Sequence, residues 1–314
     1  MPKLSVIIPL YNKEKDVLET LQSLLVQSFS DFEALVINDG STDRSLEVVA
    51  TLRDPRIRLF DKANEGVSLT RNYGAQQATT PYIVFLDADD YWYTHHLENI
   101  YQLIQQFPDC RWWATAYAKK FSSSYTQPMS TPVMQHPDQF TRVTNYFENS
   151  LQSTLAWTSA VAMEKEFFND LGGFDSRITA GAGEDTDLWI RAALESPLGF
   201  CTQISAIHNL QGSNRLSHTP TRNRNFFNPD RYEKAAPTNP FLKKYLDLNR
   251  YSIALQHKLA GDVAGYKKYT RFLDTQNLNK KQVFLLIQPR WTLKLLYFTK
   301  YLLQKVGIHL SAFK

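Results

Sequence analysis

Cysteine is nearly absent from this chain of 314 residues, which has only Cys110 and Cys201. Two cysteines build neither a disulfide scaffold nor a multi-cysteine zinc site. Both read as small core residues, and their scarcity suits a reducing compartment. Long apolar runs are also missing. No stretch reaches about 18 uncharged apolar residues, so no membrane-spanning helix is expected. The run Leu4 to Leu10 is short, and Tyr11-Asn12-Lys13 follows where a leader would need small residues for cleavage. The expectation is therefore a cytoplasmic protein without a secretory leader. Glycine-rich phosphate loops are missing too: there is neither a P-loop nor a dinucleotide fingerprint. A phosphate-bearing ligand would need another holder.

What is present is globular. Hydrophobic residues make up 43%, aromatics 13% and charged residues 21%, enough apolar material for a core. The length fits about two domains, or one large domain with an appendage. The net charge of +4 is unevenly spread. From Thr275 onward there are seven basic residues and no acidic one, which leaves −3 on the rest (28 basic against 31 acidic). The basic excess is confined to one tail, so no nucleic-acid partner is expected.

The first half alternates strand-like and helix-like segments. Strands are expected at Leu4 to Leu10, Phe32 to Ile37, Arg56 to Phe60, Tyr82 to Leu86 and Trp112 to Lys119. Helices are expected at Asp16 to Gln27, from Ser41-Thr42-Asp43 to Leu52, from Gly66 to Gln77 and from Thr94 to Phe107. Such alternation implies a mainly parallel α/β sheet. The stretch from Ser122 to Glu148 reads as a long excursion or loop, and Leu151 to Val161 as a return to the sheet. Helices follow at Glu164 to Leu171 and Thr186 to Leu194, and a strand at Gly199 to Ile207. After Pro229 the pattern is helical.

Ligands of parallel sheets bind beyond the carboxyl ends of the strands. Three strands end in polar clusters here: Pro9 to Asn12, Asn38 to Asp43, and Asp87 to Asp90. Crowded carboxylates repel unless a cation or a donor-rich ligand neutralises them. Asp87 and Asp89 fall on one side of an extended segment, which suits a hard divalent ion that takes its other oxygens from water and phosphate.

Pro9-Leu10-Tyr11-Asn12, Asn38-Asp39-Gly40-Ser41-Thr42-Asp43, Asn64-Glu65-Gly66, Arg71-Asn72, Asp87-Ala88-Asp89-Asp90 and Gly183-Glu184-Asp185-Thr186-Asp187-Leu188-Trp189 occur in that order. On these motifs the sequence resembles the inverting glycosyltransferases of family 2, over roughly residues 1 to 215. The resemblance implies a GT-A fold, a Rossmann-like, mainly parallel sheet flanked by helices, with a helical C-terminal extension. It implies a catalytic domain over 1–225, with a nucleotide-sugar half (1–121) and an acceptor half (122–225), and a helical region over 226–314.

The resemblance also implies roles. Pro9, Tyr11, Asn12, Asp39, Arg71, Asp87, Ala88 and Arg215 would bind the donor, with Asp39 accepting a hydrogen bond from the base. Asp89 would hold Mn²⁺ or Mg²⁺ against the diphosphate, and His208 would contact that metal. Asp185 would be the general base, with Glu184 orienting the acceptor. Trp189 and Arg191 would anchor the helix that carries them. By the resemblance the donor would be a nucleotide sugar, a UDP-sugar, and the acceptor a glycan or lipid-linked hydroxyl of cell-surface polysaccharide or glycolipid synthesis.

Simpler readings compete. Asp43 and Asp185 suit helix N-caps, Asp87 and Asp89 an acidic capping turn, and His208 a structural histidine. Trp112-Trp113 suits strand core with one exposed edge, and Tyr91-Trp92-Tyr93 suits either sugar stacking or helix packing. A sugar nucleotidyltransferase or a non-catalytic sugar-nucleotide or glycan binder would use similar carboxylates. In the tail, Trp291, Leu295, Phe298, Leu302 and Val306 share one helical face, flanked by Lys294, Lys300 and Lys305. That face suits peripheral contact with an anionic membrane. Equally it suits docking on the chain's own catalytic domain, or on a second copy in a homodimer.

Overall fold

The structure, a computed structural model, describes residues 2–216, 219–305 and 312. It opens with β1 (Leu4–Leu10), α1 (Val17–Leu25), β2 (Phe32–Asp39), α2 (Ser45–Ala50), β3 (Ile57–Lys62), α3 (Val67–Gln77) and β4 (Tyr82–Phe85). The β1 and β2 segments are apolar along both faces and buried throughout, apart from half-buried Pro9. That is the pattern of strands covered on two sides by helices. The four strands are parallel in the order β3-β2-β1-β4, and their register aligns Leu10 with Asn38 and Ile7 with Phe85. The polar residues that follow β1, β2 and β4 therefore emerge along one rim.

The chain continues through β5 (Tyr91–Trp92), α4 (His96–Gln106), β6 (Trp112–Ser122), β7 (Tyr125–Pro128), β8 (Phe140–Val143), α5 (Tyr146–Asn149), β9 (Val161–Glu164), α6 (Lys165–Asp170), α7 (Glu184–Glu195) and β10 (Leu198–Asn209). The sheet order extends as β4-β9-β6-β10-β5. Strand β9 is antiparallel to both neighbours, while β6 and β10 run parallel to each other. Strand β10 has two register irregularities between Cys201 and Ala206, a few residues before His208. Four helices follow: α8 (Pro240–Ala260), α9 (Val263–Thr270), α10 (Lys280–Ile287) and α11 (Arg290–Lys305). Helix α8 enters the same buried core as the sheet, with Leu242, Leu246 and Ala254 fully buried and Tyr245 against Tyr146 and Phe147.

This is the mixed, mainly parallel α/β architecture with a helical extension that the sequence implies. Four local expectations need correction. The stretch 122–148 is not a loop: β7 turns back on β6, β8 pairs antiparallel with β10, and α5 is capped by the Asn145 side chain. Sheet pairing between distant segments makes these strands, so local periodicity does not reveal them. Helix α2 runs only from Ser45 to Ala50, and of its three capping candidates Asp43 accepts from the Ser45 backbone N–H at 2.9 Å while Ser41 and Thr42 are bonded to the loop after β1. Trp113 has no exposed edge, since both it and Trp112 are buried. The return to the sheet starts only at Val161, after a 3₁₀ turn at Thr158–Ala160. Val306 and Lys314 of the basic tail lie outside the described residues.

Candidate active site

A cavity of about 420 Å³ opens at the rim where β1, β2 and β4 end. Its wall includes Pro9, Tyr11, Asp39, Arg71, Asp87, Ala88, Asp89, Glu184, Asp185, His208 and Arg215. Every predicted site residue but one therefore meets there. The exception is Asn12, whose amide oxygen accepts from the Thr42 and Asp43 backbone N–H groups (2.7 and 3.3 Å) while its backbone N–H donates to Ser41 Oγ. Asn12 fastens the β1 and β2 loops to each other, which holds Tyr11 and Asp39 on one frame.

Asp39 closes β2 and is buried. Burial works to raise its carboxyl. The Lys62 ammonium at 2.6 Å and the backbone N–H groups of Glu65 and Gly66, each at 2.9 Å, outweigh it and hold the group below the usual carboxylate range. The result is a fixed anion in the cavity wall. Tyr11 leaves its ring 39% exposed at the mouth, available for stacking.

Arg71 on α3 is 4% exposed. One terminal nitrogen donates to Asp87 Oδ1 at 2.6 Å, and the other lies 3.9 Å from Glu184 Oε1. Burial pulls the guanidinium down, but the charges of Asp87, Glu184 and Asp185 hold it above its ordinary value. Nε and Nη1 have no hydrogen-bond partner although both are buried. Unpaired buried donors are costly, and a ligand oxygen would satisfy them.

Asp89 accepts from Lys13 Nζ at 2.6 Å. Burial still pushes its carboxyl up, against the pull of that ammonium. Gly212 lies against the same carboxylate: a Cβ there would come within 2.4 Å of Oδ2, so a larger residue would displace the group. Lys13 also donates to the Ser213 carbonyl, and Asp16 accepts from Ser213 N–H at 3.0 Å. The loop after β10 is thus tied to the start of α1 across the cavity. Asp90 is buried in the same wall and accepts from Ser159 Oγ and Asn209 N–H (2.7 and 2.9 Å). Burial, then the charges of Asp89 and Asp87, push it well above the carboxylate range.

Helix α7 delivers Glu184 and Asp185. Gly183 before it has φ +98, and a Cβ there would meet the Phe227 ring at 2.6 Å. Only glycine allows both that backbone and that contact. Arg191 fastens the helix by donating to the Leu171 and Gly173 carbonyls and to Asp187, while Trp189 is buried against Trp112 and Phe174. Both act as the anchors the sequence suggested. Burial and the neighbouring Asp185 charge raise Glu184 to about 7, and its Oε2 is buried without a partner. Asp185 is half-buried, with Oδ1 accepting from Thr186 N–H at 2.6 Å.

His208 is stacked on Trp157 at 4.7 Å and receives a hydrogen bond at Nε2 from Arg215 (3.2 Å). Burial, then the Arg215 and Lys119 charges, lower it to about 3, so it is neutral. Nε2 is thus engaged by Arg215, while Nδ1 is buried without a hydrogen-bond partner. Among the described residues no group of three or more His, Cys, Asp or Glu side chains could hold an ion by itself. One carboxylate suffices for a hard divalent ion completed by diphosphate and water. Asp89, incompletely neutralised by Lys13, fits that requirement.

Several wall residues had no site role in the sequence reading, Lys13 and Trp157 among them. Lys13 directly follows the first motif, and a cation beside an acidic cluster was a readable signal. Trp157 lies in an aperiodic segment and had none.

Comparison with known proteins follows the same lines. Residues 5–172, more than half of the chain, match the family described as Glycosyl transferase family 2. An uncharacterized glycosyltransferase of Escherichia coli K12, YibD, is 44% identical over 100 residues, covering 31% of this chain and 29% of that protein. An uncharacterized glycosyltransferase of Rickettsia bellii is 28% identical over 238 residues, covering 74% of this chain and 31% of the relative. The chain thus matches less than a third of the length of either relative. Among solved structures, residues 1–349 of S. aureus TarS in complex with UDP-GlcNAc superpose with a TM-score of 0.66 at 17% identity. The match covers 95% of this chain and 92% of that one.

Proposed function

The chain belongs to glycosyl transferase family 2, and from that premise we propose that it transfers a sugar, with inversion, from a UDP-sugar to a hydroxyl of a glycan or lipid-linked acceptor. The observation that carries this reading is the convergence of Asp39, Arg71, Asp87, Asp89 and Asp185, from four separate segments, on one cavity. The bound UDP-GlcNAc of the TarS structure supports uracil as the base. Synthesis of cell-surface polysaccharide or glycolipid is the setting this chemistry suits.

In this reading Asp39 is the anion against which the uracil N3–H is set, and Tyr11 lies along the base with Pro9 shaping the pocket. Asp87 holds Arg71 in place and meets the ribose or sugar beside Ala88. Arg71 offers its unpaired N–H groups to donor oxygens, and Arg215 reaches the diphosphate. Asp89 would hold Mn²⁺ or Mg²⁺, which would supply positive charge to the leaving diphosphate. Asp185 removes the acceptor hydroxyl proton on the face opposite the leaving group, as the anomeric carbon gains oxocarbenium character. Glu184, with an ordinary value raised to about 7, is a second candidate for that base, since basicity near the working pH favours proton abstraction.

A panel of nucleotide sugars screened for Mn²⁺-dependent binding and hydrolysis identifies the donor. With that donor, Asp185→Asn is expected to lower turnover by roughly 10² to 10⁴-fold, and Asp89→Asn to remove the response to Mn²⁺. Unchanged turnover in either variant refutes the role given to that residue. Release of pyrophosphate from a nucleotide triphosphate and a sugar phosphate would instead identify a nucleotidyltransferase. Donor binding without hydrolysis or transfer would identify a binder.

A further inference from the structure

The sequence left the apolar face of the last helix with two uses, packing on protein or lying on lipid. The structure shows which face the body takes. Leu293 is fully buried, and Arg290 donates to the Leu259 and Ala260 carbonyls at the end of α8. In α10, Leu286 is buried and its carbonyl accepts from Lys258 Nζ at 2.6 Å. These contacts fix both helices to α8 along one side.

The larger apolar residues lie on the other side. Trp291 is 70% exposed, Leu295 57%, Phe298 58% and Leu302 46%. Their spacing of four, three and four residues makes one stripe along α11, and Phe284 and Ile287 on the preceding helix α10 are exposed as well. Scattered exposed apolar residues need no explanation, but six large ones on two consecutive helices do.

We infer that this stripe seats the protein on an anionic lipid bilayer, with α10 and α11 lying in the plane of the interface. Charge selects this occupant. Exposed Lys294 flanks the stripe, Lys280 and Lys281 begin α10, and no carboxylate follows Asp274 in the chain. A seam between two copies would bring two such basic segments together, which like-charge repulsion opposes. A bilayer carrying anionic headgroups neutralises them, each lysine near the surface favouring binding roughly fivefold. Trp and Phe suit the boundary between headgroups and acyl chains. No helix among the described residues is long and apolar enough to cross a membrane, so the contact is peripheral. The inference does not depend on the sugar-transfer reading, because no stripe residue lines the cavity.

The test is flotation of the full chain with vesicles of phosphatidylcholine alone and with vesicles containing about one third phosphatidylglycerol. The wild-type chain is expected to float with the anionic vesicles and to remain behind with the neutral ones. Leu295→Glu/Phe298→Glu is expected to lower recovery by roughly tenfold or more, with an unchanged melting curve because both side chains are exposed. Lys294→Glu is expected to lower it by a smaller factor. The mass of each protein in solution, from light scattering, is the second readout. Equal recovery on both vesicle types overturns the inference, as does recovery unaffected by the double substitution. So does a dimer that the double substitution dissolves in a chain that does not float.

Discussion

Glu184 and Asp185 are neighbours in sequence, yet burial separates their chemistry. Glu184 is enclosed, and burial with the Asp185 charge raises it from 4.5 to about 7. A carboxyl raised on folding favours the folded state fully below its unfolded value, and that gain is lost as pH rises through the folded value. The wild type is therefore expected to lose about 3 kcal/mol of stability between pH 4.5 and 7 through this group. Glu184→Gln should remove that part of the slope. Thermal midpoints of both proteins from pH 4.5 to 8 check it, and parallel curves would count against the assignment. Lys13 poses a question of a similar kind, since its ammonium holds the Asp89 oxygen that a divalent ion would need. Lys13→Met is expected to tighten Mn²⁺ binding in the presence of UDP roughly fivefold, about the worth of one ion pair. Calorimetric titration reads this directly, and equal affinity would mean that the lysine and the ion do not compete.

At the scale of elements, α7 matters most, because its first turn places Glu184 and Asp185 at the cavity. Its position is set at one end by Arg191 and at the other by Gly183. Gly183→Ala requires an unfavourable left-handed residue and a Cβ 2.6 Å from the Phe227 ring. The expected cost is about 2 kcal/mol, read as a lower urea midpoint, and turnover should fall because the displaced turn carries Glu184 and Asp185 away from Arg71. A stable and fully active variant would show that the turn tolerates another path. Element by element the sequence was legible where the pattern is local. The apolar runs of β1 and β2, and the helical spacing of α1, α3 and α4, were each readable within a few residues of their ends. Strands β7 and β8 were not, because polar segments such as Tyr125–Pro128 become strands only through partners on β6 and β10.

For the whole molecule, one core runs from β1 to α8, and the helical extension is not an appendage on a finished domain. Arg250 on α8 is 1% exposed and pairs with Asp230, Glu233 and Asp247 at 2.6 to 3.0 Å. Removing it leaves Asp230 without its cation and Glu233 and Asp247 to share Lys243, so Arg250→Met is expected to cost about 3 kcal/mol. Because the core is shared, tryptophan fluorescence and far-ultraviolet circular dichroism should report a single coincident unfolding transition in this variant and in the wild type. Separate transitions would show that residues 226–314 fold as a unit of their own.

By itself the sequence determined the family, the alternation of strands and helices, and the residues that gather at the strand ends. Those follow from order along the chain, since a parallel strand must release its next residues at the same rim as its neighbours. Only the tertiary structure decided which carboxylate is desolvated, which cation already holds Asp89, and that Asn12 ties loops together rather than facing the cavity. It also decided which side of α11 the body covers. Periodicity marks an apolar face but carries no information about what lies opposite it. Burial, and the shift in acidity that follows from it, depend on neighbours supplied from far along the chain.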